Sequence, residues 1–304
     1  MTRIAILAAG AMGAGMGLRL TEHGATVLTN LDGRGAASRA RAAEAGMRDV
    51  PLAEIAGADV VLSIVPPGSA VDLAERLAPA LRASATKPVF VDLNAVAPAT
   101  VERVRAALEG TGCAVVDGCI IGAPPKARMT GQSKSPAVYV SGDPDGLAAP
   151  LARHGIDLRP MEAGFGAASA LKLVYAMCTK GVTALAAGMF LAAEREGAGD
   201  ALRAELARSQ PELVERFGKA MPDMLPKAYR WVAEMREIAI LLGPDDPTAA
   251  MLEGAARVYE RLAADGQGSG ELGRALLGAS APRWRVRAAP WSTAASSGLR
   301  RRPA

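Results

Sequence analysis

Arg3-Ile4-Ala5-Ile6-Leu7-Ala8-Ala9-Gly10-Ala11-Met12-Gly13 is the stretch that decides the fold. Its first half is short and apolar, the pattern of a strand buried on both faces. It runs directly into a glycine turn that opens an Ala-rich helical segment over residues 11–23. The dinucleotide fingerprint G-x-G-x-x-G occupies such a strand-to-helix turn. Its first glycine makes the turn, the second lets the backbone approach a pyrophosphate, and the third lets helix and strand pack closely. Gly10 and Gly13 fill the last two places, and Ala8 stands in the first. The backbone of Ala9, Gly10, Ala11, Met12 and Gly13 then offers unpaired N–H groups at the positive end of a helix dipole.

Outward from this turn, strand-like runs at 25–30, 59–65, 88–92, 113–117, 137–141 and 156–160 alternate with amphipathic segments at 35–45, 70–83 and 100–108. That alternation predicts an α/β Rossmann domain with a mostly parallel, doubly wound sheet over residues 1–163. After Gly166 strand signals stop and helical periodicity continues, so an all-α domain is expected over 164–280. Residues 281–304 read as a disordered basic tail.

The residue ending the second strand reads the adenosine ribose in this fold, where an acidic side chain binds the 2′-hydroxyl and repels a 2′-phosphate. Here Asn30 is neutral, Asp32 follows two residues later, and Arg34 and Ser38 offer phosphate partners. NADP is therefore favoured over NAD, with both kept. Val65, ending the run at 59–65, and Pro66 after it complete the expected cofactor contacts.

The chain has 304 residues and a net charge of +4. Six arginines and no acid lie in residues 281–304, so without the tail the charge becomes −2. Nucleic-acid binding is therefore not expected of the folded body. Three cysteines make no disulfide framework and point to the cytoplasm. Lys172 and Lys180 interrupt the longest apolar run, so no membrane span is expected. Neither His23 nor His154 has ligand-type neighbours, no metal site is expected, and no G-x-S-x-G elbow supports hydrolysis.

Ser169, Lys172, Tyr175, Thr179 and Thr183 recur at spacings of three or four and share one helix face. A lone lysine among hydroxyls fits a partly buried cleft, where burial lowers a lysine's pKa toward neutrality. By periodicity alone a short solvated stripe fits equally.

These segments together resemble the β-hydroxyacid dehydrogenase and 6-phosphogluconate dehydrogenase superfamily, especially the branch with a poorly characterised helical domain. The resemblance covers about residues 3–265 and is carried by four motifs. The turn from Ala8 to Gly13 is similar to the family's cofactor signature. Val91-Asp92-Leu93-Asn94-Ala95-Val96-Ala97-Pro98 resembles the segment whose Asn or Ser holds substrate, which nominates Asn94. Asp117-Gly118-Cys119-Ile120-Ile121-Gly122-Ala123 resembles the substrate loop, with Gly122 and Ala123 on its paired small residues.

The fourth motif, Gly166-Ala167-Ala168-Ser169-Ala170-Leu171-Lys172, resembles the catalytic one, in which glycine precedes an essential lysine by six positions. The resemblance implies that Lys172 is general base toward a substrate hydroxyl while hydride moves to the nicotinamide. Ala176 replaces the family's Asn four residues after the lysine, and Tyr175 is the candidate to supply the missing polar group. With Ala95 and Ile121, this departure suggests a substrate larger or less polar than a short hydroxyacid. Arg230 and Glu234 share a helix face, and a surface salt bridge is favoured over Arg230 binding a substrate anion. The long apolar helix and the resemblance both imply a homodimer acting on a small molecule. An imine or ketone reductase of the same fold, and a non-catalytic dinucleotide sensor, are the competing readings.

Overall fold

A computed structural model of the chain describes residues 1–127 and 132–280. The basic tail expected at 281–304 lies outside the described residues.

The first part alternates strands and helices. It contains β1 (Arg3–Leu7), α1 (Ala11–Glu22), β2 (Thr26–Thr29), α2 (Ala36–Glu44), β3 (Arg48–Asp49), α3 (Leu52–Ile55) and β4 (Val60–Ser63). Then come α4 (Ala70–Ala83), β5 (Val89–Asp92), α5 (Pro98–Ala107), β6 (Val115–Ile121), β7 (Ala137–Ser141), α6 (Pro150–Arg153) and β8 (Asp157–Pro160). The strands form one sheet in the order β3-β2-β1-β4-β5-β6-β7-β8. All neighbours pair in parallel except β6 with β7, which are antiparallel. Chain direction across the sheet reverses between β1 and β4, and the crevice there, at the carboxyl ends of the strands, is where this fold holds ligands.

Alternation along each strand builds two cores. Ile4 and Ile6 of β1 join Val60 and Leu62 of β4 and Val91 of β5 on one face, against α1. Ala5 and Leu7 join Val61 and Phe90 on the other, against α4 and α5. Strands so buried on both faces must be apolar throughout, which is why they were legible. The strand β6 departs from expectation. It extends four residues beyond Asp117, so most of the expected substrate loop is buried sheet.

From Ala167 the structure is helical: α7 (Ala167–Ala176), a π turn (Met177–Gly181), α8 (Val182–Arg195), α9 (Gly199–Ser209), α10 (Pro211–Met224), α11 (Ala228–Leu242), α12 (Pro247–Gln267) and α13 (Glu271–Ser280). Leu173, Phe190, Met221, Met235, Leu252 and Tyr259 meet in the centre of this helical core. The span Ala167–Arg195 is one 29-residue helical rod, long and apolar enough to cross a membrane by length and composition despite its two lysines. Part of its apolar surface, including Leu185 at 71% exposure, faces outward.

Candidate active site

The turn after β1 is strained in a way that explains its shape. Ala8 has φ 95°, and among the described residues no other non-glycine has positive φ. It keeps the left-handed bend that the fingerprint's first glycine normally adopts, at a cost of roughly 1–2 kcal/mol for an L residue. The third glycine cannot be replaced so easily, because a Cβ on Gly13 would overlap the Ala8 carbonyl oxygen. Gly10 is exposed, and a Cβ there would meet nothing within 4 Å. The first helical hydrogen bond of α1 runs from Ala14 N to Gly10 O at 2.9 Å, so the preceding amides face that open space. This cradle fits a pyrophosphate.

Beyond β2 the ribose end is threaded by side chains. The Asn30 amide is buried and donates to Asp32 Oδ2 at 2.9 Å and to the Val50 carbonyl at 3.0 Å. Asp49 accepts from Leu31 N, and Arg39 Nη2 donates to Leu31 O. Arg41 was missed by sequence reasoning. It donates through Nε to Ala9 O at 2.9 Å and through Nη2 to Ser38 Oγ at 3.1 Å, tying α2 to the glycine turn. Its signal was only its place one turn after Ser38.

Asn94 is not an open substrate contact. It is 2% exposed. Its Nδ2 donates to Ser63 Oγ and Asp92 Oδ2, and its Oδ1 accepts from Val65 N at 2.7 Å. Both amide ends therefore serve a clamp that joins the ends of β4 and β5 and holds Val65, with Pro66 exposed just beyond. Burial pushes the Asp92 carboxyl up to about 6, with nearby Asp117 adding to the rise and Asn94 opposing it.

Asp117 also departs from expectation. It is fully buried, and Oδ2 accepts from Ser141 Oγ at 2.8 Å and from the backbone N–H groups of Ala168 and Ser169 at 2.9 and 3.1 Å. Its Oδ1 accepts from Ser169 Oγ. It thus caps α7 from another element, satisfying orphan donors with a negative charge at the positive end of the helix. Gly118 lies inside β6, where a Cβ would press on Leu93 and the Tyr139 carbonyl. Only Gly122 and Ala123 emerge, exposed, past the strand's end.

The lysine face is built on that capped helix. Gly166 precedes α7 with φ 93°, a bend that favours glycine and explains its place in the motif. Lys172 reaches the sheet, donating from Nζ to the Ile120 carbonyl at 2.7 Å, one residue before β6 ends. Burial, then the charge of Lys180, hold its pKa below the usual lysine value; Glu234 and Cys119 oppose. Burial raises the Cys119 thiol to about 11, so it stays protonated at neutral pH. Ser169 is buried, whereas Tyr175 is 47% exposed, so the stripe runs from core to surface rather than along one cleft. Arg230 is exposed, and Glu234 pairs with Lys180 rather than with Arg230. Among the described residues no group of three His, Cys, Asp or Glu side chains could hold a metal.

Comparison with known proteins bears on the fold. The family profile for the NAD binding domain of 6-phosphogluconate dehydrogenase fits residues 3–146, and a domain of unknown function, DUF1932, fits residues 193–262. The chain is thus similar, over residues 3–146, to the cofactor domain of 6-phosphogluconate dehydrogenase. Its first part is accordingly a nicotinamide-dinucleotide-binding domain.

Among solved structures of similar fold is conserved protein MTH1747, of unknown function and structurally similar to 3-hydroxyacid dehydrogenases. It shares 25% identity and a TM-score of 0.67, over 89% of this chain and 99% of that one. A conserved hypothetical protein from Sinorhizobium meliloti shares 26% identity and a TM-score of 0.67, over 92% and 97%. The 3-hydroxyisobutyrate dehydrogenase of Mycobacterium tuberculosis, solved with L-serine, shares the fold at 21% identity and a TM-score of 0.65, over 87% and 94%. The sequence matches no curated protein.

Proposed function

We propose that the protein is an NAD(P)-dependent oxidoreductase acting on the CH–OH group of a hydroxyacid or related alcohol, or on the corresponding carbonyl. The observation that carries this reading is the placement of Lys172. Its amine is desolvated and oriented by Ile120 O beside exposed Gly122 and Ala123, at the carboxyl end of the sheet that bears the glycine turn.

The chain's own residues divide the work. The amides from Ala9 to Gly13 hold the pyrophosphate, and Val65 and Pro66 border the crevice next to them. A bound nicotinamide supplies or accepts the hydride. Lys172, as the neutral amine, donates one N–H to Ile120 O and keeps its lone pair for the substrate hydroxyl proton. In reduction the ammonium returns that proton to the carbonyl oxygen. Gly122 and Ala123 present backbone to the substrate. Because Ser169 is committed to Asp117, Ala176 is buried and Tyr175 opens to the surface, none of these neighbours on α7 offers Lys172 a free polar partner. That favours a substrate anchored elsewhere and less polar at the reacting end.

NADP is the favoured cofactor. The Asp32 carboxylate is engaged by Asn30, Arg41 is bonded to Ser38, and Arg34 follows Asp32 by two residues. The outward apolar surface of the rod at Val174 and Leu185 supports a homodimer that covers it. The domain division follows the change of structure, with residues 1–163 for cofactor and 164–280 for substrate and dimerisation.

A panel of hydroxyacids and secondary alcohols, assayed at alkaline pH with NADP⁺ and NAD⁺, tests the reading. Turnover is expected to fall by about 10²–10⁴-fold in Lys172→Ala, the usual range for a lost general base. Undiminished turnover in that variant would remove the assignment.

A further inference from the structure

In a straight α-helix the residue seven places after Lys172 is Thr179, which would return to the same face. The π turn at Met177–Gly181 inserts one residue into that count and hands the place to Lys180. Lys180 is largely withdrawn from solvent there. Its ammonium pairs with Glu234 of α11, the two side chains being 18% and 13% exposed. The ring of Trp231, one turn before Glu234, lies 5.4 Å from the Lys180 ammonium. Tyr259 of α12 donates to the Lys180 carbonyl at 2.6 Å and meets Trp231 edge to face.

Such a pair is expensive to bury, and an apolar pair of equal volume would often stabilise the core as well or better. Its position suggests a different use. We propose that Lys180 and Glu234 are positioning residues that set the charge state of Lys172, Lys180 disfavouring the ammonium and Glu234 restoring part of it. This rests on reading Lys172 as the acid/base of the site.

The other groups around the pair do not duplicate the effect. Cys119, from β6, is held as the neutral thiol by burial. Asp117 is committed to the N-terminus of α7. Burial also keeps Tyr259 protonated. From α10, Arg216 and Asp223 face Lys180 across a cavity of about 260 Å³. Arg216 is bonded to the Cys178 carbonyl and Asp223 to Lys227. Lys180 and Glu234 are the ion pair that the π turn brings round toward the face of Lys172, with opposite signs.

Opposite signs make the test sharp. The full-length protein carrying ¹³Cε-labelled lysine is titrated by NMR, with the Lys172 signal assigned by its loss in Lys172→Met. Lys180→Met should move the Lys172 midpoint up, and Glu234→Gln should move it down, each by roughly half a pH unit or more. Lys180→Arg, which keeps the charge, should leave it near wild type. The double variant Lys180→Met/Glu234→Gln leaves no lone buried charge and keeps the test available if a single variant fails to fold. Its midpoint should stay within about half a pH unit of wild type, because two opposite charges leave together. A merely structural pair would loosen the wall and expose Lys172, moving both single variants upward. Two upward shifts, or none, would overturn the proposal. The titration is read on the free protein, so a failure of the catalytic reading would show separately, as full turnover in Lys172→Ala.

Discussion

Asp117 and Ser169 lie 52 residues apart in sequence, yet the Ser169 hydroxyl donates to the Asp117 carboxylate at 2.5 Å in a fully buried contact. Through this bond, and those from the Ala168 and Ser169 amides, the nucleotide-binding sheet grips the start of the helix that carries Lys172. The lysine lies one turn beyond the grip, so the sheet sets where its amine reaches the end of β6.

Asp117→Ala would leave the Ser169 amide and the Ser141 and Ser169 hydroxyls buried without their Asp117 acceptor, while the Ala168 amide keeps Ser141 Oγ. Each orphaned buried donor costs about 1–3 kcal/mol, so the variant should lose at least about 3 kcal/mol in urea unfolding. Asp117→Asn, which keeps one acceptor oxygen, should lose less. A loss below about 1 kcal/mol for Asp117→Ala would show that the cap is dispensable.

Ala8 carries backbone strain that glycine would not. Against this, glycine loses more entropy on folding, by about 0.4–1 kcal/mol. Ala8→Gly should therefore be neutral to stabilising, up to about 1 kcal/mol by thermal or urea unfolding, and should retain cofactor binding. Gly13→Ala, forced against the Ala8 carbonyl, should abolish binding of both nicotinamide cofactors.

Asp92 gives a signed pH dependence. Its carboxyl is raised from 3.8 to about 6, so the folded state binds a proton there more tightly than the unfolded chain. Its contribution is fully present below pH ~4 and is lost as pH rises through ~6, amounting to about 3 kcal/mol. Comparing wild type with Asp92→Asn in urea at pH 4, 5, 6 and 7 should show wild type losing stability relative to the variant from acid to neutral. A difference constant across that range would contradict the buried-clamp account.

Cofactor choice turns on Arg34. Arg34→Ala should weaken NADPH binding by about tenfold and change NADH binding by less than about twofold, as expected for loss of a phosphate partner. Equal weakening of both would place Arg34 away from the 2′ position.

The sheet was legible because β1, β4 and β5 are buried on both faces and therefore apolar throughout, and because glycines punctuate the turns. The two-residue β3 has no such pattern and was missed. Asp117 and Asn94 drew attention as polar residues in a motif, but polarity alone does not say whether a side chain faces a ligand or a buried amide. Lys180 was hidden by the π turn, since counting at 3.6 residues per turn puts Thr179 in its place. Arg41 was hidden because its partner is a backbone carbonyl 32 residues away.

The central claim is that the cradle from Ala9 to Gly13 serves a nicotinamide dinucleotide. Fluorescence titration of the wild-type protein with NADPH and NADH tests it most directly. Saturable binding is expected with a dissociation constant below ~100 μM, about 5.5 kcal/mol or more of affinity, and tighter for NADPH. Failure of both to bind at ~1 mM would contradict the account.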